Sequence, residues 1–282
     1  MGLFKIDYNK PGKGVEKEDL QKHRFFIFFD VFFRKFMKFV HLNSLYFIFS
    51  LPYLILLYAF SPLNATVIST VEVNGINTFV NTLAGEDFEA LDMVLRLIFT
   101  LGVAIFWGTG PASAGNSYIM RNFAREEHAW VMSDFWDNIK QNFKQSMIVL
   151  VTDIVVLYFS LSAFNFYSSQ YTQTQNQMFL IFQGILAFVL IIYTFMHHYS
   201  YQLMVSFKAS MKDIYKTSLI LAIAKFPQNI FFTAISLAIL VGLFLFISVF
   251  AVLAFLFIFI SLCKFIIEFY TSEVIRNSVD PE

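Results

Sequence analysis

Long stretches without charge set the strongest limit on how this chain can fold. From Asn229 to Leu262 no Asp, Glu, Lys or Arg occurs, and four further apolar stretches near 20 residues long precede this one. Hydrophobic residues make up 57% of the chain and charged residues 14%, more apolar surface than a soluble domain of 282 residues hides in one core. The sequence therefore predicts an all-α polytopic membrane protein.

The predicted spans are 40–60, 93–111, 147–166, 178–204, 227–246 and 248–268. The last two divide the charge-free stretch, which as one helix would be roughly 50 Å long, well over one bilayer. A tight turn near Gly242 to Ser248 is expected between them. The resulting organisation is a cytoplasmic and interfacial segment at 1–39, a six-helix transmembrane domain at 40–268 and a C-terminal tail at 269–282.

Basic residues predict which side each loop faces, because short cytoplasmic loops retain Lys and Arg. Nineteen of the 20 basic residues fall before span one, between spans two and three, between spans four and five, or at the end of the chain; Arg96 is the exception. The loops at 61–92 and 167–177 have no basic residue, and the first carries five acids. Both termini are therefore predicted to be cytoplasmic.

Two segments outside the spans have competing interpretations. Segment 20–39 mixes Phe with basic residues and predicts an amphipathic helix that lies in the inner interface, with partner binding as the alternative. In the outer loop at 61–92, the alternation around Asn74-Gly75 is typical of a small hairpin. A helical extension of span one or two is the alternative there.

The loop between spans two and three, residues 108–146, carries the richest polar pattern. Gly108, Gly110 and Pro111 are expected to end span two, and Asp134 is a plausible N-cap for the next helix. An apolar stripe then recurs every four residues, at Phe135, Ile139, Phe143 and Met147. This stripe either packs on the protein's own inner loops and the headgroups or docks a partner.

The candidate partner-binding residues lie in this loop. Helical geometry is expected to place Arg121 beside Arg125 and one turn from Glu126 and Glu127, and a solvated helix face explains such charges adequately. The full candidate set is Gly110, Pro111, Arg121, Arg125, Glu126, Glu127, Asp134, Phe135, Lys140, Asn142 and Lys144.

Asp153 is the one acid predicted well inside a span, with no second buried acid beside it. Its predicted depth in the membrane matches that of His197, His198 and Lys264, any of which could be its partner. The pair is either a structural polar lock or a site of ion or proton coupling. Tyr201 shares a helix face with His197, so the candidate intramembrane polar set is Asp153, His197, Tyr201 and Lys264.

Signatures of enzymes and cofactors are absent from the sequence. It contains no HExxH, GxSxG or GxxxxGK[ST] motif, and its adjacent histidines diverge on a helix and make a poor metal chelate. A net charge of zero does not favour nucleic acid, and the lone Cys263 excludes an internal disulfide. We expect no enzyme activity, no cofactor and no metal.

The chain resembles the YesL-like family of bacterial membrane proteins over most of its length. The match is strongest in the loop, with weaker support from Asn43, Ser50-Leu51-Pro52 and the segment from Phe207 to Pro227; the loop residues are Gly110-Pro111-Ala112, Arg121-Asn122-Phe123, Ala124-Arg125-Glu126-Glu127-His128, Ser133-Asp134-Phe135, Lys140 and Asn142-Phe143-Lys144-Gln145. The connection at 61–92 is longer than is usual for the family.

This resemblance implies a multi-pass protein of the cell membrane of Gram-positive-type bacteria, often encoded beside carbohydrate ABC importers. No activity comes with it. We therefore expect an accessory or regulatory subunit of such an importer, docked through the 110–146 loop. The alternatives are an autonomous small-solute transporter or channel that uses Asp153, His197 and Tyr201, and a purely structural assembly factor. The sequence does not indicate an oligomeric state.

Overall fold

A computed structural model describes residues 23–59, 61, 86–246 and 258–279. Within these ranges the chain is all-helical. The helices are α1 (Arg24–Arg34), α2 (Phe36–Ala59), α3 (Glu86–Phe106), α4 (Pro111–Ala124), α5 (Val131–Thr174), α6 (Met178–Ser206), α7 (Met211–Ala224), α8 (Phe226–Phe246) and α9 (Ile260–Val279).

Three helices are each long and apolar enough to cross a membrane: α2, α5 and α6. Two further pairs pass the same test together but are bent at a short break, α3 with α4 by 61° and α7 with α8 by 90°. The described residues thus supply three spans, or up to five if each bent pair is one span. The predicted count of six is not confirmed, since residues 248–257 of the last predicted span lie outside the described residues, as does the predicted hairpin around Asn74-Gly75.

The largest departure from the predicted map concerns span two and the loop after it. Span two was expected to end at residue 111, whereas α3 ends at Phe106 and a second helix, α4, follows the break. This helix packs along α2, with Ser113 beside Tyr46 and Phe123 beside Phe39. With 14 residues it is too short to cross a bilayer by itself. Its polar residues Ser113, Asn116, Ser117 and Asn122 are buried.

Helix α5 extends well beyond the predicted span at both ends. It has 44 residues and is therefore about 66 Å long, while the hydrocarbon core of a bilayer is about 30 Å thick. Its N-cap is Trp130, and the carboxylate of Asp134 in the first turn accepts a hydrogen bond from the Trp130 N–H at 2.8 Å. The prediction of Asp134 as the N-cap was therefore wrong by one turn.

The predicted apolar stripe of α5 is divided between two environments. Phe135 and Ile139 are buried against α4, whereas Phe143 is 53% exposed. The division follows from Gly115, which has no side chain and lets α4 approach the backbone of α5 at Phe135. The stripe is therefore not one continuous docking surface.

Aromatic packing joins the N-terminal helix to the bundle. The ring of Phe39 lies 4.7 Å from that of Phe265 on α9 and 5.1 Å from that of Phe123 on α4. Phe28 on α1 continues the cluster, 5.2 Å from Phe265. These centroid distances lie in the range of favourable aromatic pairs. Part of the unusual Phe content of this chain is thus used to pack α1, α2, α4 and α9 together.

The close contact at Gly115 gives a direct test of the α4–α5 packing. A Cβ at this position would lie 2.7 Å from the carbonyl oxygen of Phe135, so we expect Gly115→Ala to cost about 1–3 kcal/mol. Gly184→Ala on α6 is the matched control, because nothing lies within 4 Å of a Cβ there. It should be neutral or stabilise by about 0.5–1 kcal/mol. Thermal unfolding in detergent distinguishes the two, and equal midpoints would contradict the packing.

Candidate functional site

The break between α3 and α4 lies at the centre of the bundle. Gly108 and Gly110 both have positive φ, of 91° and 70°, which non-glycine residues rarely adopt. Space is also restricted at Gly108, where a Cβ would lie 2.6 Å from Oγ of Ser113 and 2.7 Å from the ring of Tyr201. Pro111 then begins α4, at a position where its missing N–H costs nothing. The pattern of glycines and proline thus produces a break, as predicted.

Hydroxyl groups from neighbouring helices satisfy the backbone that the break exposes. The Tyr46 O–H donates to the carbonyl of Ala104 at 2.9 Å, and the Thr109 N–H donates to Oγ of Ser113 at 2.8 Å. The Gly110 N–H donates to the hydroxyl oxygen of Tyr201 at 3.2 Å. Ser50 completes the set by bonding the Thr109 hydroxyl at 2.7 Å. Such partners are needed because unpaired backbone groups in a bilayer are costly.

A buried lysine occupies the C-terminal end of α3. The ammonium nitrogen of Lys264 lies 3.4 Å from the carbonyl oxygen of Ile105 and 3.5 Å from that of Ala104, over the ring of Tyr46 at 5.0 Å. The last carbonyls of a helix carry partial negative charge, so a cation is stabilised there. Lys264 therefore acts as a fixed countercharge for the broken helix.

Asp153 and His197 form a buried pair beside the break. Nε2 of His197 lies 2.9 Å from Oδ1 of Asp153, and the Tyr193 O–H donates to the same oxygen at 2.7 Å. Both side chains are at most 4% exposed. The ring of His197 stacks on Trp107, which is the first residue of the break. Of the three partners considered for Asp153 from sequence, the structure places His197 in contact with it, while His198 bonds the Thr233 hydroxyl instead.

A second buried acid, Glu268, contradicts the prediction that Asp153 has no companion. Its carboxylate accepts hydrogen bonds from the Ser117 hydroxyl and the Gln202 amide, and it is 7% exposed. Lys264 stands one helical turn before it on α9 and attracts it electrostatically. Glu268 was overlooked because it sits at the end of the last predicted span, where a carboxylate is expected to reach water.

A small cavity joins these groups. It has a volume of about 20 Å³ and is lined by His197, Tyr201, Lys264 and Glu268, together with Trp107 and Gly108 of the break. All four residues of the predicted intramembrane polar set thus lie around one point, three of them on this cavity and Asp153 in contact with His197. Among the residues that the structure describes, no group of three or more His, Cys, Asp and Glu could hold a metal ion.

Most of the predicted partner-binding residues are engaged within the chain. Arg121 donates to the carbonyl of Val205 and the hydroxyl of Ser206 at the end of α6, and its guanidinium lies over the ring of Tyr118. Gly110 and Phe135 are buried. Asn142 donates to the carbonyl of Asn138 one turn back. Lys140 and Lys144, by contrast, are exposed on α5.

The turn after α4 holds the predicted charge cluster in a different arrangement from that expected. The helix ends at Ala124 with Arg125 as its C-cap, and Glu126 takes a left-handed conformation with φ of 60°. The N–H of Glu127 then reaches back to the carbonyl of Asn122 at 2.7 Å, which completes a Schellman motif. Arg121 and the two acids therefore do not share a helix face.

Basic residues around the junction of α1 and α2 bind this turn. Arg34 forms an ion pair with Glu126 at 2.6 Å, Lys35 donates to the carbonyl of Glu127 at 2.8 Å, and Lys38 donates to the carbonyl of Ala129 at 3.3 Å. Partial burial, together with the neighbouring positive charges of Arg34 and Lys38, lowers the pKa of Lys35 to about 8. The turn between α4 and α5 is thus fixed by cations of α1 and α2.

The hydroxyl of Tyr46 is expected to be essential for the break. Tyr46→Phe leaves the carbonyl of Ala104 without this donor inside the bundle, which should cost about 1–3 kcal/mol in thermal unfolding. Tyr158→Phe on the exposed face of α5 removes the same atom from a side chain that is 67% exposed and should be neutral. A Tyr46→Phe protein as stable as the Tyr158→Phe protein would show that the break does not depend on this bond.

Comparison with known proteins points to the same segment. Residues 93–166 match the family model described as "Protein of unknown function, DUF624", the family that YesL belongs to. The match runs from α3 through the break and α4 to the part of α5 that carries Asp153. No curated protein and no solved structure matches. The chain is therefore similar to this family over the segment that builds the helix break.

Proposed function

We propose that this chain is an accessory or regulatory subunit that lies in the cell membrane and is linked to carbohydrate uptake by an ABC importer. The observation that carries the proposal is an exposed apolar and basic surface at the start of α5. Met132 is 70% exposed, Trp136 43% and Phe143 53%, and Lys140 and Lys144 lie among them. We refer to these five residues as the α5 face.

The composition of the α5 face fits a docking site. Trp and Met are enriched in protein interfaces, and Trp often dominates the binding energy. Lys140 lies 5.4 Å over the ring of Trp136, so an acidic partner surface would meet a charge held beside the aromatic anchor. The cations of α1 and α2 fix the preceding turn, which reduces the entropy that binding has to overcome. The proposed docking surface is thus smaller than the 110–146 loop.

The resemblance to the YesL-like family is the reason for proposing an importer as the partner. That family is often encoded beside carbohydrate ABC importers, and the match at residues 93–166 includes the α5 face. A cytoplasmic position for this face is part of the proposal and rests on the distribution of basic residues.

Six spans with both termini in the cytoplasm complete the proposed topology. The charge-free sequence from Asn229 to Leu262 is too long for one span, and Lys264 and Arg276 follow it. An interfacial position for α1 is supported by Phe25, Phe26 and Phe33, each more than 60% exposed.

Photo-crosslinking tests the docking role. A photoreactive phenylalanine analogue at position 136 should crosslink to a subunit of the importer encoded nearest the gene, and the same analogue at Tyr158, on the exposed face of the same helix, should not. Trp136→Ala should weaken binding of the purified importer by about 2 kcal/mol, or roughly 30-fold. Equal crosslinking at both positions, or a product that is not the importer, would contradict the proposal.

A second candidate function is an autonomous small-solute transporter or channel. The described residues contain two bent helix pairs, α3 with α4 and α7 with α8. Broken helices at a buried polar site are typical of transporters. The site around Asp153 and His197 lies beside one of these breaks, and this observation favours the second candidate.

Flux through the purified protein tests the second candidate. Proteoliposomes should show uptake that Asp153→Asn reduces at least about tenfold, because a buried ionisable group in a membrane site is usually functional. Asp213→Asn is the control, since Asp213 is an exposed carboxylate near the N-terminus of α7. Absence of flux with sugars, ions and protons alike would contradict the second candidate function.

A further inference from the structure

The contact between Asp153 and His197 meets a second buried acid and base at the cavity beside the helix break, Glu268 and Lys264, which stand one helical turn apart and interact electrostatically without a direct contact. We propose that the Asp153–His197 pair and the Lys264–Glu268 pair form a proton relay through the centre of the bundle. The inference rests on the second candidate function and deepens it by naming the proton as the coupled ion.

Polar atoms of the Asp153–His197 pair lack hydrogen-bond partners. Within the described part of the chain, Oδ2 of Asp153 and Nδ1 of His197 have no hydrogen-bond partner, and the 2.9 Å contact between Nε2 and Oδ1 lacks hydrogen-bond geometry. Both side chains are more than nine-tenths buried. Buried polar groups are normally satisfied, so unused capacity at a titratable pair points to a proton or a water that exchanges with it.

The cavity supplies the connection between the pairs. Its volume of about 20 Å³ has room for about one water molecule. His197 lines it from α6, and Lys264 and Glu268 line it from α9. A water there would have polar partners on both sides, as a buried water requires. The space is also too small for a sugar.

One proton can move from the first pair to the second without changing their combined charge. The first pair holds one proton, either on the carboxyl group of Asp153 or on the imidazole of His197. This proton passes to the water, and the water passes one of its own protons to the carboxylate of Glu268. The first pair then carries one negative charge and the second one positive charge, and their proximity limits the cost in a medium of low dielectric constant. A proton taken up from one side of the membrane then restores the first pair. Release of the proton from Glu268 towards the opposite side restores the second pair.

Other titratable groups also lie near the relay. His198 bonds Thr233, Tyr193 donates to Asp153, and Arg121 is bonded to the end of α6. The remaining ones are the phenols of Tyr46 and Tyr53 from α2, Tyr199 and Tyr201 from α6, Tyr215 from α7 and Tyr270 from α9. Tyr53 and Tyr215 interact electrostatically with Asp153. Phenols stay neutral at ordinary pH, so they modulate the relay rather than carry its charge.

A metal cation is a poorer occupant of this site than a proton. A hard cation requires several oxygen ligands around one point. Here a nitrogen of His197 already lies against Asp153, and the ammonium of Lys264 occupies the carbonyls at the end of α3. A second positive charge would meet Lys264 in the same cavity.

Infrared difference spectroscopy of the protein in lipid tests the proposal directly. Between high and low pH, a carboxylic acid C=O band should appear, and part of it should shift when the wild-type protein is labelled with ¹³C-aspartate and another part with ¹³C-glutamate. The labels identify the residue type without a substitution. Asp153→Asn should remove the first part, Glu268→Gln the second, and Asp213→Asn neither. His197→Gln should shift the pH at which the aspartate band appears.

Each result decides the proposal. Loss of the two bands in the two variants supports it, and so does a shift of the aspartate midpoint in His197→Gln. A band that survives both substitutions, or that sodium ions abolish at constant pH, overturns it. Proton flux, followed with a pH dye inside proteoliposomes, is a separate measurement. Titrating bands without flux would refute the transporter function and leave the proton sites standing.

Discussion

The fold depends on the satisfaction of backbone groups that the break between α3 and α4 exposes. A helix that ends inside a bundle leaves its last carbonyls and the next helix's first N–H groups without partners. Here the hydroxyl groups of Tyr46, Ser113 and Tyr201 and the ammonium of Lys264 supply those partners. Because these residues come from α2, α4, α6 and α9, the break fixes the relative positions of four helices.

Cations at helix C-termini recur throughout the molecule. Lys264 lies at the end of α3, and Arg121 bonds the last turn of α6. Lys35 and Lys38 do the same for the turn that follows α4. Basic residues that indicate membrane orientation in the sequence thus also close helix ends in the structure. This double use explains why the patterned loop offers few free charges.

The segment that matches the DUF624 family holds only half of the polar site. It contains the break and Asp153, whereas His197, Lys264 and Glu268 belong to helices beyond its end. The segment also contains the α5 face. A partner that binds this face would contact the helix that also carries Asp153. Trp136 and Asp153 are about 17 residues apart, or about 26 Å along the helix axis. One rigid helix therefore links the proposed docking surface to the buried site.

The sequence by itself determined the membrane class, the helical content and the location of the break, because length, hydropathy and glycine with proline act locally. It also identified Asp153, His197, Tyr201 and Lys264 as a group through their similar depth. Only the tertiary structure decided that α4 is a packed helix, that Asp134 lies inside the first turn, and that Glu268 is buried. These features depend on what lies opposite each side chain, as when Ser117 and Gln202 let α9 bury a carboxylate. Hydropathy sums a segment's own residues and contains no information about such partners.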